Sequence, residues 1–259
     1  MKTARTIHLR VLRWGLVVLS IHCFFLLEAK AQFRYLTLYA NGDIRLLIVD
    51  PQGRRLGYDP KSNTYFEEIP RGNIGAAGID IVTEEGGEAD PSQVNPIEAM
   101  IPQPLDGNYV ITVLGSSLQF YDINVRARHV NTPITNIATG GIIDSGLTRT
   151  FRFVYDFNGQ TQSKIEPIIQ GSNLIEDVET SYKMGLLKNH GVYSSFKHKA
   201  ENAAHQHEQG QNKAGVNILE ALVNELKSLD EKNIDPEATA LLLEDAQTLI
   251  KQWTALIIE

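Results

Sequence analysis

The chain has 259 residues, 24 of them basic and 31 acidic, for a net charge of −7 at neutral pH. Without its first 31 residues it would keep 19 basic and 30 acidic side chains, a net charge of −11. That balance excludes nucleic acid and an anionic membrane surface as natural partners, since both are held by basic patches.

The N-terminus carries Lys2, Arg5, Arg10 and Arg13, then an apolar run over residues 14–27, then Ala29-Lys30-Ala31. This order predicts a secretory signal peptide over residues 1–31, cleaved after Ala31, so the mature protein would start at Gln32 and be secreted, periplasmic or held in the cell envelope. The apolar run falls short of the ~20 residues that span a bilayer; a retained signal anchor is the alternative. No second apolar run of that length follows. Cys23 is the only cysteine and lies inside the apolar run, so the mature chain would have no disulfide and would rely on a buried core.

Residues 32–162 read as strands. β-rich runs at 35–39, 44–49, 65–68, 97–101, 109–114, 118–125 and 150–157 are separated by turn residues such as Asn41-Gly42, Asp50-Pro51-Gln52-Gly53, Asp106-Gly107 and Asn158-Gly159. Phe151, Phe153, Tyr155 and Phe157 alternate with Arg152, Val154 and Asp156, the period of a strand with one buried face. About seven short strands without helical periodicity predict an antiparallel β-sandwich, Ig-like or jelly-roll-like. Residues 71–95 break the pattern with five glycines among Asp80, Glu84, Glu85, Glu88 and Asp90. They read as a solvated loop; a calcium or partner loop is the alternative, although the spacing fits no EF-hand.

Residues 163–184 read as a polar linker or a strand-like approach to a helical half. A helix over 192–208 comes next. In the second helix Ile218, Leu219, Leu222, Val223, Leu226 and Leu229 form one apolar stripe. The third opens at Asp235-Pro236-Glu237, a capping carboxylate, a proline at the first helical position and an acid at the positive dipole end; Leu242, Ala246, Leu249, Ile250 and Trp253 line its face. The fold class is therefore α+β in two segregated domains, a sandwich followed by a small three-helix bundle over 185–259.

The stretch Gly185–Ile250 resembles the FIMAH domain of bacterial exported and surface proteins. The matching elements are Gly185 with Lys188-Asn189 and Gly191-Val192-Tyr193, the turn Gly210-Gln211-Asn212-Lys213-Ala214, the helix carrying Asn217, Leu222-Val223 and Asn224-Glu225, and then Leu241-Leu242, Ala246 and Leu249-Ile250. The family's aromatic–Ile pair in the middle helix is Leu222-Val223 here. The resemblance implies the C-terminal module of an exported multidomain protein and carries no catalytic residue. The β half, through residues 44–60, 67–70 and 101–115, is similar to small sandwich modules of bacterial exoproteins.

Several constellations invite a chemical reading. His198, Glu201, His205 and Glu208 fall within about 80° on a helical wheel, opposite Phe196, Ala200, Ala203 and His207. His198 and His205 are seven residues, roughly 10.5 Å, apart along the axis and cannot share a metal; Glu201 and His205 lack a third ligand. His207 reads as a packed histidine. Asp50 and Asp59 flank Arg54-Arg55, a possible carboxylate pair or anion clamp, but Asp-Pro twice in ten residues is turn chemistry first. Ser116-Ser117 is a turn. The aromatics Tyr109, Phe120, Tyr121, Phe151, Phe153, Tyr155 and Phe157 would bind sugars if they faced solvent, and belong to the core otherwise. No G-x-S-x-G, H-E-x-x-H or P-loop occurs. No catalytic, cofactor-binding or metal-ligating residue is assigned, and no cofactor. The expectation is an exported non-catalytic interaction or scaffolding protein whose partner is a protein or a cell-surface polymer. The alternatives are a carbohydrate-binding module and a hydrolase without a legible motif.

Overall fold

Among the described residues, eleven strands and four helices follow one another. They are seen in a computed structural model that describes residues 34–76, 96–128, 135–158 and 163–258. The expected signal peptide, its cleavage point, Cys23 and most of the acidic glycine-rich stretch lie outside the described residues.

The strands are β1 (Tyr35–Asn41), β2 (Ile44–Val49), β3 (Arg55–Asp59), β4 (Thr64–Glu67), β5 (Asn73–Ala76) and β6 (Ile97–Pro102), then β7 (Gly107–Gly115), β8 (Gln119–Ala127), β9 (Thr135–Ile143), β10 (Thr148–Tyr155) and β11 (Ile165–Ile168). They make two antiparallel sheets, ordered β5-β6-β1-β8-β9 and β11-β10-β7-β2-β3-β4. The sandwich core comes from alternation. Leu36, Leu38 and Ala40 of β1 and Tyr121, Ile123 and Val125 of β8 face Ile44, Leu46 and Ile48 of β2, Ile111 and Val113 of β7, and Phe151 and Phe153 of β10 across one apolar cluster.

All seven expected strands form, and four more join them. β3 and β9 were hidden by glycines. Gly57 in β3 holds φ at +105°, and a Cβ there would stand 2.2 Å from the Leu46 carbonyl oxygen. Gly140 in β9 lets the strand close onto β8, since a Cβ would meet the Tyr121 carbonyl oxygen at 2.5 Å. Both positions look like turns by composition and are close backbone approaches in fact. β5 places residues 73–76, read as loop, beside β6 with Asn73 opposite Met100.

The helices are α1 (Gly171–Lys183), α2 (His190–Glu208), α3 (Asn212–Ser228) and α4 (Pro236–Ile258). The bundle thus has four helices where three were expected. α1 fills much of the segment read as linker and sends Leu174 and Val178 into the helical core. Its apolar residues are few, and Asp177, Thr180 and Ser181 are buried with them, so composition alone marks it as solvated. Asn173 receives the Gln170 amide at 2.9 Å at its start. Asn189 caps α2 by accepting from the Gly191 amide at 2.7 Å, and Asp235 caps α4 by accepting from the Glu237 amide at 3.0 Å. Phe196, Ala200, Leu219, Leu222, Leu226, Leu242, Ala246 and Leu249 form a second apolar cluster that shares no residue with the sandwich core.

Candidate functional site

A buried polar cluster joins the two halves, beside apolar contacts such as that of Gly141 with Leu241. Arg149 leaves β10 and is 9% exposed. Its Nη1 donates to Glu176 Oε2 and to the Thr148 carbonyl at 2.7 and 2.9 Å, and its Nη2 donates to Asp177 Oδ1. Asp177 hydrogen-bonds to Asp245 of α4, so strand, first helix and last helix meet at one buried group. A buried guanidinium is tolerable only when such partners satisfy it. Burial works against the Arg149 charge, but Asp177 and Glu176 outweigh it and hold the guanidinium above its ordinary pKa. Burial pushes the Asp177 carboxyl up despite Arg149 beside it. Asp245 is driven further in the same direction, first by burial and then by the charge of Asp177. Both carboxyls are thus pushed toward the neutral form, Asp245 the more strongly because Asp177 has the Arg149 guanidinium beside it. Asp245 Oδ2 has no hydrogen-bond partner within the described residues. On the surface, Lys183 Nζ reaches Asp144 Oδ2 at 2.7 Å and adds a second polar link across the junction.

Above this cluster opens a cleft of about 640 Å³ between the β8–β9 hairpin and the first turns of α4. Phe120, Tyr121 and Asp122 line one wall, Glu237, Leu241 and Glu244 the other, and Gly140-Gly141 the floor. Positions 237, 241 and 244 share one helical face by their i, i+4 and i+3 spacing. The glycines keep the floor low: a Cβ at Gly141 would stand 3.5 Å from Leu241. Asn41 Nδ2 donates to both oxygens of Asp122, at 3.0 and 2.8 Å, and fixes its carboxylate.

Most of the aromatics singled out from the sequence do not reach solvent. Tyr109 and Tyr155 are 1% exposed and Tyr121 6%. Phe151, Phe153 and Phe157 are buried with them. Tyr109 accepts from the Leu105 amide at 2.9 Å, and burial raises its hydroxyl pKa; Tyr155 donates to the Arg128 carbonyl at 2.9 Å, and burial raises its pKa to about 12. Phe120 is the exception, 47% exposed at the cleft.

The charged candidates are held in structural pairs. Asp50 accepts from the Gln52 and Arg54 amides at 2.9 Å each and from Arg54 Nε at 2.7 Å, which closes the β2–β3 turn. Arg55 clamps Glu68 at 2.8 and 3.1 Å and lies over the Phe66 ring. The Lys61 amide, foremost, holds the Asp59 carboxyl below the usual carboxylate range. Arg54-Arg55 is thus matched to this chain's own carboxylates, and the Asp50 and Asp59 carboxylates are engaged as turn acceptors.

On α2, His198, His205 and Glu208 are exposed and Glu201 half-buried, with His198 Nδ1 3.6 Å from Glu201. His207 lies on the inner side, stacked on Trp253 with ring centroids 4.3 Å apart and 2.7 Å from Asn212 Oδ1. Among the described residues no group of three or more His, Cys, Asp or Glu is placed to hold a metal.

Sequence reasoning missed two groupings. One is the Arg149 cluster, whose members lie far apart in the chain; the only local sign was two adjacent acids, Glu176-Asp177, inside a short amphipathic pattern. The other is Ser195, Lys199 and Glu225. Lys199 Nζ donates to Ser195 Oγ and to Glu225, both at 2.6 Å, while Ser195 donates to Glu225 at 3.0 Å. The trio ties α2 to α3.

Fold and junction together define a two-module architecture, an antiparallel sandwich locked to a four-helix unit through a buried ionic cluster. Residues 172–251 match the family model of the FIMAH domain. The match begins at the first turn of α1, so the family's unit takes in the helix that the sequence reading had assigned to the linker. It covers less than a third of the chain. Comparison with curated proteins and with solved structures finds no match. Among the described residues no helix is long and apolar enough to cross a membrane.

Proposed function

We propose that this is an exported, non-catalytic interaction protein of a bacterial cell envelope or exterior, whose sandwich and FIMAH module together present one binding cleft. The observation that carries the reading is the cleft itself. It is open, it is built from both modules, and it exposes Phe120, whereas six of the seven aromatics that might have formed a sugar platform are packed inside. An aromatic side chain left half in water beside a concave surface is a common anchor of protein interfaces. The signal-peptide pattern and the FIMAH match support export. The commitment of Asp50, Asp59, Arg54, Arg55 and Lys199 to structural pairs supports a role without catalysis.

The test has two parts. Fractionation with N-terminal sequencing should find a mature protein that begins at Gln32 outside the cytoplasm. Proximity labelling of the exported protein in its own cells should mark a partner that is lost in Phe120→Ala, with folding unchanged. A partner retained by that variant but lost on substitution elsewhere would remove the cleft from the proposal. Hydrolysis of a cell-wall or polysaccharide substrate by the purified protein would remove the non-catalytic reading.

A further inference from the structure

The charged residues that line the cleft are all acidic: Asp122 on the sheet side, Glu237 and Glu244 on α4. Among the described residues no lysine or arginine lines the cleft, and the Arg149 of the adjoining cavity is already paired with Glu176 and Asp177. Phe120 and Leu241 supply an apolar surface between the acids. Below the floor lies a small cavity of about 30 Å³, and the lining residues Tyr121, Gly140, Gly141, Leu241 and Glu244 belong to both spaces. Asp245, 5% exposed, lines that cavity with an Oδ2 that finds no hydrogen-bond partner among the described residues. The Asp245 acceptor thus lies in the cavity beside the cleft, behind lining residues that the two spaces share. The positive end of α4 does not offer a competing anion site, because Asp235 already accepts from the Glu237 amide and Glu237 itself sits in the first turn.

We infer that the cleft takes a cationic segment of a partner protein, a lysine or arginine whose alkyl stem packs on Phe120 and Leu241 and whose charged head is held by Glu237, Glu244 and Asp122. Long basic side chains suit such a site because they are apolar along the stem and charged at the tip. The face of an exposed aromatic ring adds cation–π attraction. Asn41 holds the Asp122 carboxylate in place with both its oxygens engaged on one side, so part of the acidic wall is already ordered before a ligand arrives. The inference rests on the cleft being the interaction site; it adds the chemistry of the partner.

Fluorescence anisotropy on the mature protein tests it with three labelled ten-residue peptides: alternating Lys-Leu, alternating Glu-Leu and alternating Ser-Leu. The Lys-Leu peptide should bind best, and weaken as salt rises from 0.15 to 0.5 M. Glu237→Gln/Glu244→Gln should weaken it by about two- to thirty-fold, the range expected for two exposed ion pairs. Phe120→Ala should weaken all binding in the cleft. Glu208→Gln/Glu220→Gln, which removes the same charge from exposed positions on α2 and α3, should leave affinity unchanged. Equal loss in both double variants would mean attraction to net charge alone and would overturn the inference. Equal binding of the Ser-Leu peptide, with Phe120 dependence kept, would overturn the cationic partner while leaving the cleft as an interaction site. If no peptide showed dependence on Phe120, the cleft reading would fall with it.

Discussion

Arg149 is the residue on which the two halves meet, and its partners decide what its loss would do. Arg149→Met leaves Glu176 and Asp177 facing each other without their shared cation. Breaking a buried pair by removing one partner costs about 3–5 kcal/mol. Urea denaturation at neutral pH should show a loss of that order. Asp245 makes a separate claim about pH. Its folded pKa lies well above that of an unfolded aspartate. A carboxyl raised in the folded state contributes stability that is fully present below the unfolded pKa and is lost as pH rises through the folded pKa. The Asp245 contribution to stability should therefore decline as pH climbs above the ordinary carboxylate range. Asp245→Asn, which keeps a donor toward Asp177 and cannot ionise, should flatten that decline. The difference between the two proteins' denaturation curves from pH 4 to 8 checks this, and a difference that stayed constant across the window would contradict a raised Asp245 carboxyl.

At the scale of single elements, the apolar stripe of α3 carries the bundle. Leu219 and Leu222 are completely buried and Leu226 nearly so. Leu222→Asp would force an unpaired carboxylate into that core, and the cost approaches the whole stability of a small domain, about 5–15 kcal/mol. Far-UV circular dichroism should lose most of its helical signal. If instead the helices survived while partner binding vanished, α3 would be a docking face. In the sandwich, Gly57→Ala is the corresponding change in β3. The added Cβ meets the Leu46 carbonyl at 2.2 Å with φ at +105°, so β3 must shift off β2. A loss of roughly 1–3 kcal/mol in the sandwich is expected from strain of this kind, read by denaturation of the wild-type and variant side by side.

For the molecule as a whole, two apolar clusters with no residue in common should melt separately. Calorimetry should resolve two transitions, one for each cluster. The junction adds coupling between them. Arg149→Met should pull the two transitions further apart, because each half then unfolds with less regard for the other. One joint transition in both proteins would count against independent cores.

The local pattern alone determined much of this protein. Period-two alternation marked seven strands and their turns, and period 3.6 with an Asp-Pro-Glu start marked α3 and α4, because those signals depend on neighbours within a few positions. The FIMAH resemblance was legible for the same reason: its motif series lies in one continuous stretch. β3 and β9 were not legible, since their glycines mean turn in a local reading and only the approach of another backbone shows why a side chain cannot stand there. α1 was not legible because its buried Asp177, Thr180 and Ser181 are polar, and their burial is decided by Arg149, 28 positions from Asp177 in the chain. The cleft was the least legible of all. Phe120, Asp122, Gly141, Glu237 and Glu244 lie on two modules and come together only when the sandwich and bundle dock. Burial then separated the aromatics, leaving Phe120 at the surface and drawing the other six into the core, a division that alternation alone does not settle because it shows which residues share a face but not which face is covered.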